Sequence, residues 1–483
     1  LVLDARPVLH VIGLLLATLG LAMLVPALVD IASDNRDWQV FAASSATTLL
    51  IGLGLHLSTR GAPQELDLRQ AFLLTTLAWV TIAVFGALPF IYAEMDLSIT
   101  DALFESMSGI TTTGSTVLTG LDTAPPGILI WRSLLQWLGG IGIIVMAVAV
   151  MPMLQVGGMQ LFRMESSDNS EKILPRAAQI AGALAVLYLV ITLICSISLW
   201  FAGMSAFDAV AHAMTSVATG GYSTSDGSIG NFDSASIDVI VTLFMVLGSL
   251  PFALYLQALR GRPLLLWQDG QVRWFFVLAL LSIGILAAWR IVTTDTEVLE
   301  ALRFTSFNIV SIMTGTGYSS ADYNSWGGFA IGLFFMVMFI GGCAGSTSCG
   351  VKIFRVQVLV ETARCQVQKL LQPHGVFTPE FNHKPIPPAV RDAVMNFFFL
   401  FFGCFITLAV ILSAFGLDFI TAASGAGTAI ANVGPGLGDI IGPAGHFGTL
   451  PDGAKWFLMI GMLLGRLEII GVLVLLSPTF WRG

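Results

Sequence analysis

Residues 219–227 read "TGGYSTSDG" and directly follow the apolar run "AVAHAMTSVA". Consecutive glycines, hydroxyls and a tyrosine break any simple spanning helix, so the reason for this stretch decides the fold. Related stretches recur as "TTTGST" from Thr111, "TGTGYSS" from Thr314 and "ANVGPG" from Ala431. The surrounding chain of 483 residues is 55% hydrophobic and 11% charged, with a mean hydropathy of +0.84. Soluble domains carry about 25% charged residues, so this composition describes a polytopic membrane protein.

Aligning the four glycines exposes an internal repeat. Gly114, Gly221, Gly317 and Gly434 are separated by 107, 96 and 117 residues. Each interval holds a spanning helix, a half-length apolar segment, a glycine-centred loop and a second spanning helix. Two helices before residue 60 stand outside the pattern. The expected division is therefore 1–62 for two N-terminal helices, then repeats over 63–155, 156–260, 261–372 and 373–483. Apolar runs long enough for a bilayer, which takes about 20 helical residues, lie at 8–30, 39–58, 70–93, 127–152, 178–203, 236–258, 273–292, 328–371 (interrupted), 391–415 and 454–476. The first is longer than a signal-peptide core and lacks a small-residue cleavage site, so it reads as a retained helix. A start at Leu1 rather than Met is consistent with residues preceding it.

The half-length segments, 101–111, 207–218, 299–313 and 418–431, are too short to cross and read as re-entrant pore helices. Acids near their starts suit the positive end of a helix dipole. Non-helical backbone at membrane depth is tolerated only where protein buries it or water reaches it. The four loops should therefore converge on one polar axis, as an all-α fold of four helix–pore-helix–loop–helix repeats forming a pseudo-tetrameric pore. Such a ring offers a dehydrated cation backbone carbonyls without fixed charge. Glycine allows successive carbonyls to turn one way and leaves the axis open. The competing reading, close packing of glycines between helices, explains one glycine better than four in the same context. The expected ion ligands are Thr112, Thr113, Gly114, Thr219, Gly220, Gly221, Gly315, Thr316, Gly317, Asn432, Val433 and Gly434, with neighbouring hydroxyls adding ligands or tying each loop to its pore helix.

Charge orients the chain. With the N-terminus inside, sixteen of the 22 Lys and Arg fall on one side and only Arg36, Arg132, Arg290, Arg303 and Lys455 on the other, with Arg466 inside a span. Positive residues gather on the cytoplasmic side, which places both termini there. The outer face is acidic, with Asp208, Asp226 and Asp439 among its residues, and would concentrate cations. The connectors "RMESSDNSEKILPR" and "LQPHGVFTPEFNHKP" read as solvated cytoplasmic segments that also suit a docking regulator. The five cysteines show no metal spacing, and no nucleotide loop or nucleophile triad points to an enzyme.

The stretch "GGCAGSTSCG" at 341–350 interrupts an apolar run of 45 residues from Gly327 to Leu371, over twice one crossing. It reads as a gating loop, with Gly345, Ser346, Thr347 and Lys352 as its functional residues, against the alternative of a flexible kink. Arg466 sits about 18 Å along the last helix. A charge that deep should face the cavity, either as a cationic barrier or paired with an acid or loop carbonyls. Glu468, two residues on, would point elsewhere on a helix. His212 reads as a hydrogen-bonded packing residue rather than a proton-linked site.

The stretches "FESMSGITTTGST", "LLQWLGGIGIIVMAVAVMPML", "ATGGYST", "GGCAGSTSCGVKIFR", "NVGPGLG" and "GRLEIIGVLVLLSPTFWR" occur in family order and closely resemble the TrkH/TrkG/KtrB superfamily of bacterial potassium uptake subunits over nearly the whole chain. The resemblance implies a single-chain pore in the bacterial inner membrane, embedded in lipid as a homodimer. It also implies potassium as the transported and bound ion, the intramembrane gate, Arg466 as barrier, and a cytoplasmic TrkA-type nucleotide-binding regulator. Glycine in all four loops goes with potassium preference in that family, and serine in the first loop with sodium-permeating relatives. None of the loops matches "TVGYG", so fewer carbonyl sites and weaker discrimination are expected. Passive conduction and proton symport both remain open, as do a sodium-permeable channel of the same fold and an alternating-access carrier.

Overall fold

The computed structural model describes residues 4–61, 66–149, 173–382 and 384–482, with backbone alone for 147–149 and 173–178. The expected boundaries at 62/63 and 155/156, and residues 163–172 of the first connector, lie outside the described residues. The connector's last four residues, 173–176, already belong to the helix Ile173–Phe201. The second connector instead folds part of itself into a short hairpin, Glu380–Phe381 against Lys384–Pro385.

The N-terminal hairpin pairs Arg6–Ala32, interrupted at Met23, with Trp38–Ser58. Glycines let the two backbones touch: a Cβ at Gly13 would lie 2.7 Å from Gly52 O, and one at Gly52 would lie 2.7 Å from Ala17 N. The Ser45 hydroxyl donates to Gly20 O at 2.6 Å. Buried Asp30 then accepts from Gly127 N at 2.7 Å, which ties the hairpin to the start of the first inner helix.

Each repeat presents an outer helix, a short helix and an inner helix. The short helices are Ile99–Ile110, Ala206–Val217, Val298–Thr314 and Phe419–Ala431. Three open on a capping side chain, which occupies backbone N–H groups the first turn leaves unpaired. Ser98 accepts from Asp101 N, Ser205 from Asp208 N, and Asp418 from Ile420 N and Thr421 N. Bonds from Thr421 hold the Asp418 carboxyl below its ordinary range. The fourth short helix is buried from Thr421 through Ala431. Its small residues "TAASGAGTAIA" let neighbours close on every side.

Seven described helices are long and apolar enough to cross a membrane, fewer than the ten runs expected. The shortfall has a physical cause in each case. The run 236–258 is two helices, Ala235–Ser249 and Phe252–Leu259, bent by 94°. Pro251 removes an N–H and forces Leu250 into extended backbone. The run 454–476 bends by 107° after Arg466, where Glu468 and Ile469 take φ of 56° and 59°. The run 328–371 is helical over Gly328–Val337 and Ile353–Leu371 and irregular at 338–352.

Candidate cation site

The four glycine loops meet. An ideal Cβ added at Gly114 would fall 2.2 Å from Gly220 O, at Gly221 1.8 Å from Thr316 O, at Gly317 2.1 Å from Val433 O, and at Gly434 2.9 Å from Thr113 O. Loop one therefore faces loop two, two faces three, three faces four, and four faces one. Such a closed cycle places all four glycines around one line. Their φ values of 87°, 78°, 82° and 114° are ones that side chains disfavour. The residues two positions earlier, Thr112, Thr219, Gly315 and Asn432, also have positive φ, between 50° and 74°. Left-handed residues alternating with ordinary ones let consecutive carbonyls turn the same way, which glycine tolerates without strain.

The hydroxyls mostly brace the loops from behind. Thr113 Oγ1 lies 2.7 Å from Thr111 Oγ1, and Thr316 Oγ1 lies 2.8 Å from Thr314 Oγ1, at the ends of their own short helices. Asn432 spans two repeats, donating to Thr113 Oγ1 at 2.8 Å and to Met462 O at 2.9 Å. Ser115 donates to Gly434 O at 2.7 Å. His212 has both ring nitrogens engaged, by Asp208 O and Ser223 Oγ, each at 2.9 Å, in keeping with a packing residue.

Sequence reasoning missed a buried network behind loops one and two. Arg132, placed on the outer side by the charge count, is 1% exposed and pairs with fully buried Glu105 at 2.8 Å. It also donates to Ser223 O at 2.7 Å and lies 4.1 Å above the Tyr222 ring. Glu105 accepts from the Thr116 hydroxyl and Val117 N, and the Tyr222 hydroxyl donates to Glu105 O at 2.9 Å. Lys455 is likewise buried, against Asp101 at 2.5 Å. The available signal was an arginine inside the apolar run "GILIWRSLLQW", where an unpaired charge is costly.

Residues 338–352 lie directly against the ends of the short helices. Thr347 Oγ1 is 3.0 Å from Val217 O and 2.9 Å from Gly248 O, and Ser348 Oγ donates to Thr314 O at 2.6 Å. Cys343 N donates to Ser249 O, and Phe252 N donates to Gly345 O. Those last two bonds use the backbone groups that the Pro251 break leaves free. Gly345 has φ 76°, Ser346 folds back onto Cys343 O at 2.6 Å, and buried Lys352 donates to Ser348 O. Arg466 donates to Gly139 O at 2.8 Å and reaches Thr347 O at 3.4 Å and the Cys349 sulfur. Of the partners expected were Arg466 a structural residue, the structure supplies loop and helix carbonyls and not an acid. Glu468 lies beyond the helix end and pairs with Arg355. A small cavity beneath is lined by Lys352, Arg355, Arg466 and Glu468, three cations to one anion.

A family model described as "Cation transport protein", TrkH, matches residues 37–482. The "Trk system potassium uptake protein TrkI" of Halomonas elongata is 47% identical over 477 residues, covering 99% of this chain and 97% of that protein. The "Trk system potassium uptake protein TrkH" of Escherichia coli K12 is 38% identical, covering 99% of both. The crystal structure of the potassium transporter TrkH from Vibrio parahaemolyticus superposes with a TM-score of 0.92 at 36% identity, covering 99% of this chain and 100% of that one. With the pseudo-tetrameric fold and near-complete coverage, the chain belongs to the TrkH family of cation transport proteins.

Proposed function

We propose that the chain is the membrane subunit of a potassium uptake system and that its four glycine loops are the selectivity filter. The observation that carries this reading is the closed cycle in which each glycine faces the carbonyl before the next loop's glycine. Peptide oxygens of Thr113, Gly220, Thr316 and Val433 then replace water around a bare cation. The short helices contribute by aiming their negative C-terminal ends at the space below the loops. Relatives named as potassium uptake proteins favour potassium over other cations as the cargo. The chain acts in the bacterial inner membrane with both termini cytoplasmic, as a homodimer under a TrkA-type nucleotide-binding regulator. It moves ions rather than transforming a substrate.

Liposomes bearing the protein and opposed potassium and sodium gradients test the proposal. Potassium flux should dominate, and Gly114→Ser should erase most of the preference. Equal flux of both ions in the parent, or unchanged preference in the variant, would favour a sodium-permeable channel or a carrier instead.

The gate in this reading is the segment 338–352, with Lys352 and Arg466 as its cationic floor. It is supported by the bonds Thr347 and Ser348 make to the short-helix ends. Thr347→Val removes a buried hydroxyl contact worth about 1 kcal/mol. Regulator-free flux should rise by about fivefold. Flux that stays at the parental level without regulator would rule out this segment as the closed barrier.

A further inference from the structure

Loop two differs from its three counterparts at one place. Just before the filter glycine, loops one, three and four carry β-branched side chains, Thr113, Thr316 and Val433, whereas loop two carries Gly220. Backbone conformation does not demand this glycine, since Gly220 is absent from the positive-φ residues. Space does. A Cβ there would lie 2.4 Å from Gln136 Cδ and 2.5 Å from its Oε1.

Gln136 is fully buried on the first inner helix, Pro126–Ala149, four residues after Arg132. That spacing puts both side chains on one helix face. The face grips loop two along its backbone. Gln136 Nε2 donates to Gly220 O at 2.6 Å, Tyr222 N donates to Gln136 Oε1 at 3.0 Å, and Arg132 donates to Ser223 O at 2.7 Å. Among the described residues, no side chain of the inner helices Ala235–Ser249, Gly328–Val337 or Asp452–Arg466 bonds the backbone of a glycine loop in this way. Nor does any hydrogen bond reach the carbonyl oxygens of Thr113, Thr316 or Val433 among the described residues.

We propose that Gln136 takes the place of the side chain loop two lacks, and that its amide is a specificity-determining group for potassium over sodium. This rests on the filter reading above. The amide N–H draws on one of four ring carbonyls and leaves three free, so the ring offers a weaker and uneven field. A weaker field favours the larger, more easily dehydrated cation. The second bond, from Tyr222 N, keeps loop two from contracting around a smaller one. Gln136 is a positioning residue through its grip on the loop and acts on the ion only through Gly220 O.

The test compares potassium and sodium fluxes in liposomes for four proteins beside the parent and Gly114→Ser. Gln136→Met keeps volume and removes both hydrogen bonds. It should lower the potassium-to-sodium ratio by about five- to tenfold, the worth of about one net buried hydrogen bond, with thermal stability measured alongside. Gly220→Thr should abolish flux, Gln136→Ala should lower the ratio, and the double variant Gln136→Ala with Gly220→Thr should recover flux by giving loop two the side chain of loops one and three. Gln136→Met at the parental ratio, or a double variant no better than Gly220→Thr alone, overturns the proposal. If Gly114→Ser also leaves the ratio unchanged, the filter reading itself has failed; if Gly114→Ser lowers it, only the role of Gln136 has.

Discussion

Cells that depend on this chain for potassium are expected to stop growing at low external potassium when Gly221 is replaced by alanine. The new methyl carbon would lie 1.8 Å from Thr316 O, well inside contact distance, and φ of 78° is strained for any L side chain. Left-handed backbone alone costs about 1–2 kcal/mol outside glycine. Relief by movement is blocked, because Thr316 is fully buried and its hydroxyl is tied to Thr314. Loop three must shift, and the carbonyl that shifts is one of the ring. Position 434 is the milder case, with 2.9 Å from the added carbon to Thr113 O. Growth and rubidium-tracer uptake, at matched amounts of protein in the membrane, should show residual transport for Gly434→Ala and none for Gly221→Ala. The reverse order would be incompatible with the ring contacts described above.

The second large effect is expected at Glu105. Replacing it with alanine leaves Arg132 buried at 1% exposure without its carboxylate, and strips the acceptor from Thr116 and Val117 N. Breaking one half of a buried pair costs about 3–5 kcal/mol, because the surviving charge has no water to turn to. The melting midpoint in detergent should fall sharply, and the yield of monodisperse protein with it. Removing both charges, as Glu105→Ala with Arg132→Met, should cost less than Glu105→Ala alone despite two substitutions. A single variant that melts with the parent would show that Arg132 draws its stability from Ser223 O and the Tyr222 ring instead.

Much of this architecture is legible in the sequence, and the reasons differ by element. The four loop glycines are visible because left-handed backbone in a loop leaves glycine as the residue without strain, so the same letter returns in each repeat. The short helices are visible from length, and their observed bounds differ from 101–111, 207–218, 299–313 and 418–431 by two residues or fewer. The bend before Phe252 also had a signal in Pro251, which the hydropathy of 236–258 concealed. The bend after Arg466 had none, since Glu468 and Ile469 are ordinary helix-compatible residues that take positive φ here. Pairings between helices were out of reach for the same reason. Nothing in the letters says that Arg132 meets Glu105, or that Gln136 fills the space at Gly220; both depend on which faces the assembled helices turn toward one another.

The handedness of the loop contacts carries an evolutionary consequence. An assembly of four identical subunits must accept any substitution four times over, and its ion field stays fourfold whatever the residue. Here the quarters are encoded separately, and the closest glycine-to-carbonyl approaches run in one rotational sense, so a larger residue at one glycine presses first on the next loop in that sense. Proline after Gly434, serine after Gly114 and tyrosine after Gly221 and Gly317 are such local departures. If the ring is the filter proposed above, lineages with this plan can adjust ion preference by degrees, one wall at a time.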